Sequence, residues 1–347
     1  MKAAGGKAYS TGALALLWQA KAGDWATDLA WSASSARLFV SDASGALAAF
    51  DAQSGAEAWR VEAHPGGVLA IAGHPNARGL LSTGQDGAAR LWEETSGALR
   101  REHALGASWG EHAAWSPDGA RYAIAAGKRA RVYREDGSEA FSCDDHASTV
   151  SGLAFCREQL GTSCYGAVAF WNAETGALEQ RLSYKSSLLG LVISSDAKIA
   201  ACATQESSVH FWRRTSGRDA EMSGYEVKPT ALAFDARSRW LATGGGKQIC
   251  VWDFSGRGPE GSRPLLLDLH QLPVSALRFA NRKGLLASGG RDGGVGVWSI
   301  GQTGKARTAG AAVLSGAIER VAFSPDDRLL AAIDGDGNVA VWRQTAA

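Results

Sequence analysis

Short apolar segments recur along the whole chain, set apart by turns rich in Gly, Asp and Ser. "ERVAFSPDD" (319–327) and "TALAFDARS" (230–238) alternate apolar and polar residues, while "RLFVS", "RYAIAAG", "WLATGG" and "RLLAAID" are short apolar runs. Period-2 segments bounded by turn residues predict strands joined by tight turns. No stretch sustains the 3.6-residue period of a long helix.

These segments follow one order, and the order repeats. Each alternating segment leads to an apolar run and then to a phrase ending on an aromatic: Phe50, Trp92, Tyr133, Trp171, Trp212, Trp252, Trp298 and Trp342. Successive aromatics lie 42, 41, 38, 41, 40, 46 and 44 residues apart. A turn and a further strand, such as "LEQRLSY", follow. A period of this length predicts one four-stranded unit per repeat. Two copies share more than a pattern. "GLLSTGQDGAARLW" and "GLLASGGRDGGVGVW" place His64, Ser82, Asp86 and Trp92 in parallel with His270, Ser288, Asp292 and Trp298; His, Ser and Asp precede Trp by 28, 10 and 6 residues in both.

These phrases, with "SPDG" (116–119), "SPDD" (324–327) and "VWD" (251–253), resemble the WD-repeat family over nearly the whole chain. The resemblance implies an all-β fold, a single closed β-propeller over 11–345 after a short tail, 1–10. Each repeat would give three inner strands of one blade and the outer strand of its neighbour. Eight repeats imply eight blades, with the family's commoner seven as the alternative. "TGALALLWQAKAG" (11–23) reads as an outer strand with no inner strands before it, and no outer strand follows Trp342. Pairing the first with the last would close the ring and cover an open edge.

The resemblance also implies that the two parallel sets are structural tetrads bonded across a blade. Elsewhere members are missing. Blade four has His146 but Gly161 and Tyr165 at the Ser and Asp positions; blade five has Cys202 and Glu206; blade eight has Asp336 but Ala332. Partner contacts would fall on the top face. Starts of inner strands give Trp25, Thr27, Leu69, Trp109, Glu111, Thr149, Ser151, Leu189, Lys228, Thr230, Ser275 and Glu319, and residues before the Asp position give Gln85, Gln205 and Arg291. Trp and Arg dominate binding hot spots, which singles out Trp25, Trp109 and Arg291.

Composition removes several function classes. A formal net charge of +1 offers no field for nucleic acid or an anionic membrane, and no apolar stretch approaches a membrane span. The start of the chain has no apolar signal region. Five scattered cysteines suit reduced thiols, hence a cytoplasmic location. Gly at 43 and Pro at 8 fit many tight turns.

Catalytic and cofactor chemistry finds little footing. Ser, His and Asp could form a nucleophilic triad, but their recurrence at one spacing, each time ending in Trp, favours a brace. "GGRDGGVG" and "TGGGK" lie in turns and are not phosphate loops. "CDDH" (143–146), with His103 and His112, is the sole candidate metal cluster, and it lacks a second ligand pair. "FDAQSGAEAWRVEA" (50–63) and "TGALALLWQAKAG" are similar to repeats of quinoprotein propellers, which implies an enzyme using pyrroloquinoline quinone as one alternative. An accessory role in metal homeostasis is another. The reading preferred is a non-catalytic scaffold without cofactors, monomeric on its own, that binds another protein or peptide.

Overall fold

Alternating segments pair with the apolar runs that follow them, because only pairing satisfies their backbone groups while their side chains are buried. The computed structural model describes residues 9–143 and 146–345. Its strands form eight antiparallel sheets, each starting from an inner strand. The inner strands are Ala26–Trp31, Val68–Gly73, Gly110–Trp115, Gly152–Cys156, Val192–Ile193, Ala231–Phe234, Val274–Phe279 and Ile318–Phe323. Eight blades are therefore present, and the seven-bladed alternative falls.

The repeated aromatics lie on the third strand of every blade, each opposite a residue of the second strand: Phe50 faces Leu38, Trp92 faces Leu80 and Trp342 faces Leu330. The buried apolar residues form eight clusters, and each cluster draws on two adjacent blades. One cluster joins blade eight to blade one through Trp18, Leu29, Leu329 and Val341. The core is thus a ring of interfaces.

Closure follows the expected route with one addition. Leu14–Lys21 pairs with Asn338–Gln344 and completes blade eight. The segment read as one spare strand over 11–23 is divided: Tyr9–Gly12 pairs with Ala306–Val313 and gives blade seven a fifth strand. Gly12 makes the division, at φ +68°, and a Cβ there would lie 2.5 Å from the Ala309 carbonyl oxygen. Tyr9 and Ser10, placed in the tail by sequence, are paired residues of that strand.

The phrases that are similar to quinoprotein repeats form packing locks between blades. The indoles of Trp18 and Trp59, on outer strands, lie under Gly55 and Gly97 in turns of the next blade. Their Nε1–H groups donate to the carbonyls of Ala52 and Glu94, each at 2.9 Å. Only Gly permits so close an approach at positive φ.

Candidate functional site

The braces form as expected in blades two and seven. The Trp92 indole donates to Ser82 Oγ at 2.8 Å, Ser82 bonds His64 Nε2 at 2.7 Å, and His64 Nδ1 meets Asp86 at 2.8 Å. The corresponding distances through Trp298, Ser288, His270 and Asp292 are 3.0, 2.9 and 3.3 Å. The order has the connectivity of a nucleophilic triad. Both serine oxygens, however, are fully buried and committed to an indole, so each set ties the loop, the second strand and the third strand of one blade together. Burial works against the Asp86 carboxylate, but bonds from Arg90 and His64 outweigh it and hold its pKa below the usual range. Asp292 is likewise depressed, with burial outweighed by bonds from His270 and from the amides of Gln271 and Gly294.

The other blades replace the brace in ways that residue counting missed. In blade four the turn is one residue shorter, so Thr162, and not Gly161, occupies the serine position; it bonds both His146 Nε2, at 2.8 Å, and the Trp171 indole, at 3.0 Å. In blade six Tyr225 stands in for His: Trp252 donates to its hydroxyl at 3.0 Å, and that hydroxyl bonds Thr243 Oγ1 at 2.8 Å. Blade three stacks His103 on Tyr133 and bonds it to Tyr122 at 2.7 Å. Blade five packs His210 between Tyr184 and Trp212, over buried Cys202, while Glu206 is exposed. In blade eight Asp336 is exposed and accepts from Ser315; the buried carboxylate is Asp334.

The candidate metal residues are drawn into these networks. His146 Nδ1 lies 3.0 Å from the Lys128 carbonyl, Cys143 is buried on an outer strand, and His112 lies on the inner strand of blade three. Asp144 and Asp145 lie outside the described residues.

The histidines give the fold a pH dependence. Burial holds His64, His74, His103, His112 and His210 below the usual histidine range. The unfolded chain binds protons on these rings at higher pH than the native chain does. Their contribution is therefore complete above the unfolded value of 6.5 and is lost as pH falls below it. The urea midpoint should be lower at about pH 5.5 than at about pH 7.5; equal midpoints would contradict the assignment. The depressed Asp86 and Asp292 titrate at more acid pH and do not account for a loss in that window.

Strand direction defines the loop face. Inner strands start where outer strands end, and the turns between second and third strands lie at the same end, so all fifteen residues expected at the top belong to one side. At five positions the inner strand carries an extra unpaired residue, a β-bulge: Thr27, Leu69, Glu111, Ser275 and Glu319. Thr27 is bonded to Ser41 at 3.0 Å and Ser151 to Ser163 at 3.1 Å, and Ser275 donates to Ile318, so these three help hold the framework. Leu69 and Leu189 are half-buried; Gln85, Thr149, Gln205, Lys228, Thr230 and Arg291 are exposed. Glu111 has one carboxylate oxygen buried without a hydrogen-bond partner among the described residues, and burial raises its pKa. Trp25 and Trp109 are 52% and 54% exposed. The Trp25 indole and Glu319 share the space above Gly335. Exposed Tyr165, Val227 and Leu272 lie on the same side and were not anticipated as contact residues.

Four stretches, 56–93, 220–253, 263–299 and 311–343, match the family model described as WD domain, G-beta repeat. The Protein LST8 homolog of Drosophila melanogaster is 26% identical over 52% of this chain and 57% of its own length. Target of rapamycin complex subunit wat1 of Schizosaccharomyces pombe is 27% identical over 51% and 55%. Telomerase protein component 1 of Rattus norvegicus is 26% identical over 73% of this chain but 10% of its own. The chain thus spans little more than half of two of these curated relatives and a tenth of the third. Among solved structures, the computationally designed Ika8 protein superposes with a TM-score of 0.77 at 22% identity, covering 93% of this chain and 97% of its own. The RRP9 WD40 repeats superpose at 0.64 and 17%, covering 80% and 94%. At such identities the likeness to solved structures is one of fold. The matched stretches coincide with blades found here by register and bracing, and the chain belongs to the WD40-repeat β-propeller family.

Proposed function

We propose that the protein is a non-catalytic interaction platform whose loop face docks another protein or peptide. The observation that carries this reading is where large apolar side chains meet solvent. Among the described residues, Trp25, Trp109, Tyr165, Val227 and Leu272 are exposed on the loop face, and Leu16, Leu99, Leu178 and Leu266 on outer strands; the turns of the opposite face expose no large apolar side chain. Exposed aromatics rimmed by polar residues mark binding surfaces, and here Trp25 lies beside Glu319, which lines the central channel. WD40 propellers generally bind other proteins, and the fission-yeast relative is by name a complex subunit, in keeping with an assembly role. No disulfide joins the five cysteines among the described residues, in keeping with the cytoplasmic location expected from sequence.

The test is partner capture from the native cell by the full chain and its variants. Trp25→Ala and Trp109→Ala should each weaken capture about 30-fold, as expected for a hot spot of about 2 kcal/mol, while changing stability by only about 0.5 kcal/mol. Leu99→Ser and Leu266→Ser, on the rim, should retain the partner. Folded loop-face variants that keep every partner, with rim variants that lose it, would move the site to the side of the ring.

A further inference from the structure

The channel is a cavity of about 1140 Å³ walled by the inner strands. Register makes their residues comparable around the ring. One residue before the position that faces the second-strand partner of the repeated aromatic, six blades carry alanine: Ala30, Ala72, Ala114, Ala154, Ala233 and Ala322. Blade five carries valine, and blade seven carries Arg278. Two residues nearer the loop face the wall holds Asp28 on blade one, His112 on blade three and Arg320 on blade eight, with Ala or Gly in the other blades.

Most of this charge is already engaged. Asp28 accepts from the amides of Ile71 and Leu29, each at 3.0 Å, and pairs with Arg320 at 3.3 Å. Arg320 also donates to the Glu319 carbonyl at 2.9 Å. Glu319 belongs to the mouth, beside Trp25. The Arg278 guanidinium, by contrast, makes no hydrogen bond or ion pair among the described residues. Neither does the side chain of Arg282, which lines the same channel four residues on. Arg278 is exposed within the channel, and Asp28 is the acidic group whose charge it feels there. A guanidinium stays charged and presents a fork of donors matched to oxyanions. Where six blades use alanine, an exposed arginine without a hydrogen-bond partner among the described residues turns its fork of donors to the channel, free to take an oxyanion.

We infer that the channel binds a phosphate group through Arg278 and Arg282, with Arg320 alongside. Two cations free of carboxylates match a dianion better than a single carboxylate, and charge-assisted bonds from guanidinium to phosphate are among the stronger polar contacts. The phosphate belongs either to a small soluble compound or to a phosphorylated side chain entering from the mouth.

Calorimetric titration of the full chain, in buffer free of phosphate and sulfate, tests this with inorganic phosphate, pyrophosphate and a phosphoserine peptide. At least one probe should bind, and Arg278→Ala should weaken it tenfold or more. Arg278→Lys should retain part of the affinity, and Lys185→Ala, an exposed control, should change nothing. Without ligand, Arg278→Ala should melt at nearly the same temperature, because it removes a channel-facing, solvent-exposed side chain that bonds no described residue; a markedly lower melting temperature would point to a structural role and overturn the assignment. Failure of all three probes to bind, or equal binding by Arg278→Ala, would also overturn it. Tighter binding of the peptide than of the inorganic anions identifies a partner as the source, and the reverse identifies a small compound.

Discussion

A chain lacking residues 1–22 should aggregate, or melt far below the intact protein. The deletion removes the outer strand of blade eight and with it seven paired positions on Asn338–Gln344. It also strips Leu14 and Trp18 from two adjacent interface clusters, where both are buried. Loss of a buried Trp costs about 3–5 kcal/mol and of a buried Leu about 2–5 kcal/mol. Against a total stability of about 5–15 kcal/mol, that approaches the whole margin. The exposed edge of Asn338–Gln344 would then template pairing between molecules. A deletion of residues 1–12 separates the two strands: it removes the fifth strand of blade seven but leaves the closing strand in place. It should stay monomeric with a modest fall in melting temperature. Size-exclusion chromatography and thermal melts of both deletions decide the matter, and an unchanged, monomeric 1–22 deletion would sink the closure assignment.

What could be read from sequence was whatever the packing repeats. The third-strand aromatic recurs because every blade interface must be filled, so the repeat, the strand order and the number of blades were all visible. The two full braces were visible because His, Ser and Asp keep fixed distances from Trp when the turns have equal length. That condition fails in blade four, where a turn shorter by one residue moves the hydroxyl from position 161 to Thr162. In blade six a tyrosine, Tyr225, does the work of His, so a search for His alone passes over it. The loop-face residues were legible where they open an inner strand, as Trp25 and Trp109 do. Val227 and Leu272 lie in loops of irregular length, where position in the repeat is lost. Arg278 emerges only when the inner strands are laid in register, because the bulges shift their alignment by one residue in five blades.

The least legible residue is also one of the most heavily used, and replacing it should separate two neighbouring aspartates. Asp334 pairs with Ile318 at the end of its strand, as Asp42 pairs with Ala26 in blade one. In the braced blades that position belongs to Gly84 and Gly290. A Cβ there would come within 2.5 Å of the His64 or His270 ring. The brace therefore requires glycine, and a blade without the His can place a carboxylate in the vacated space. Asp334 is fully buried and accepts from the amides of Gly316, Asp336 and Asn338 at 3.0, 3.0 and 2.8 Å, and from the Asn338 side chain at 2.6 Å. Alanine at 334 strands these donors together. A single unsatisfied buried group costs about 1–3 kcal/mol, so the sum, eased by whatever water enters, should reach about 3–5 kcal/mol. Asp336→Ala, two residues on, removes one exposed bond to Ser315 and should cost no more than about 0.5 kcal/mol. Asp86→Ala and Asp292→Ala should fall between them at about 1–3 kcal/mol, since each of those carboxylates is partly open to solvent. Denaturant titration of the four variants gives the order directly. Equal losses at 334 and 336 would mean that the buried carboxylate does not carry the turn of blade eight.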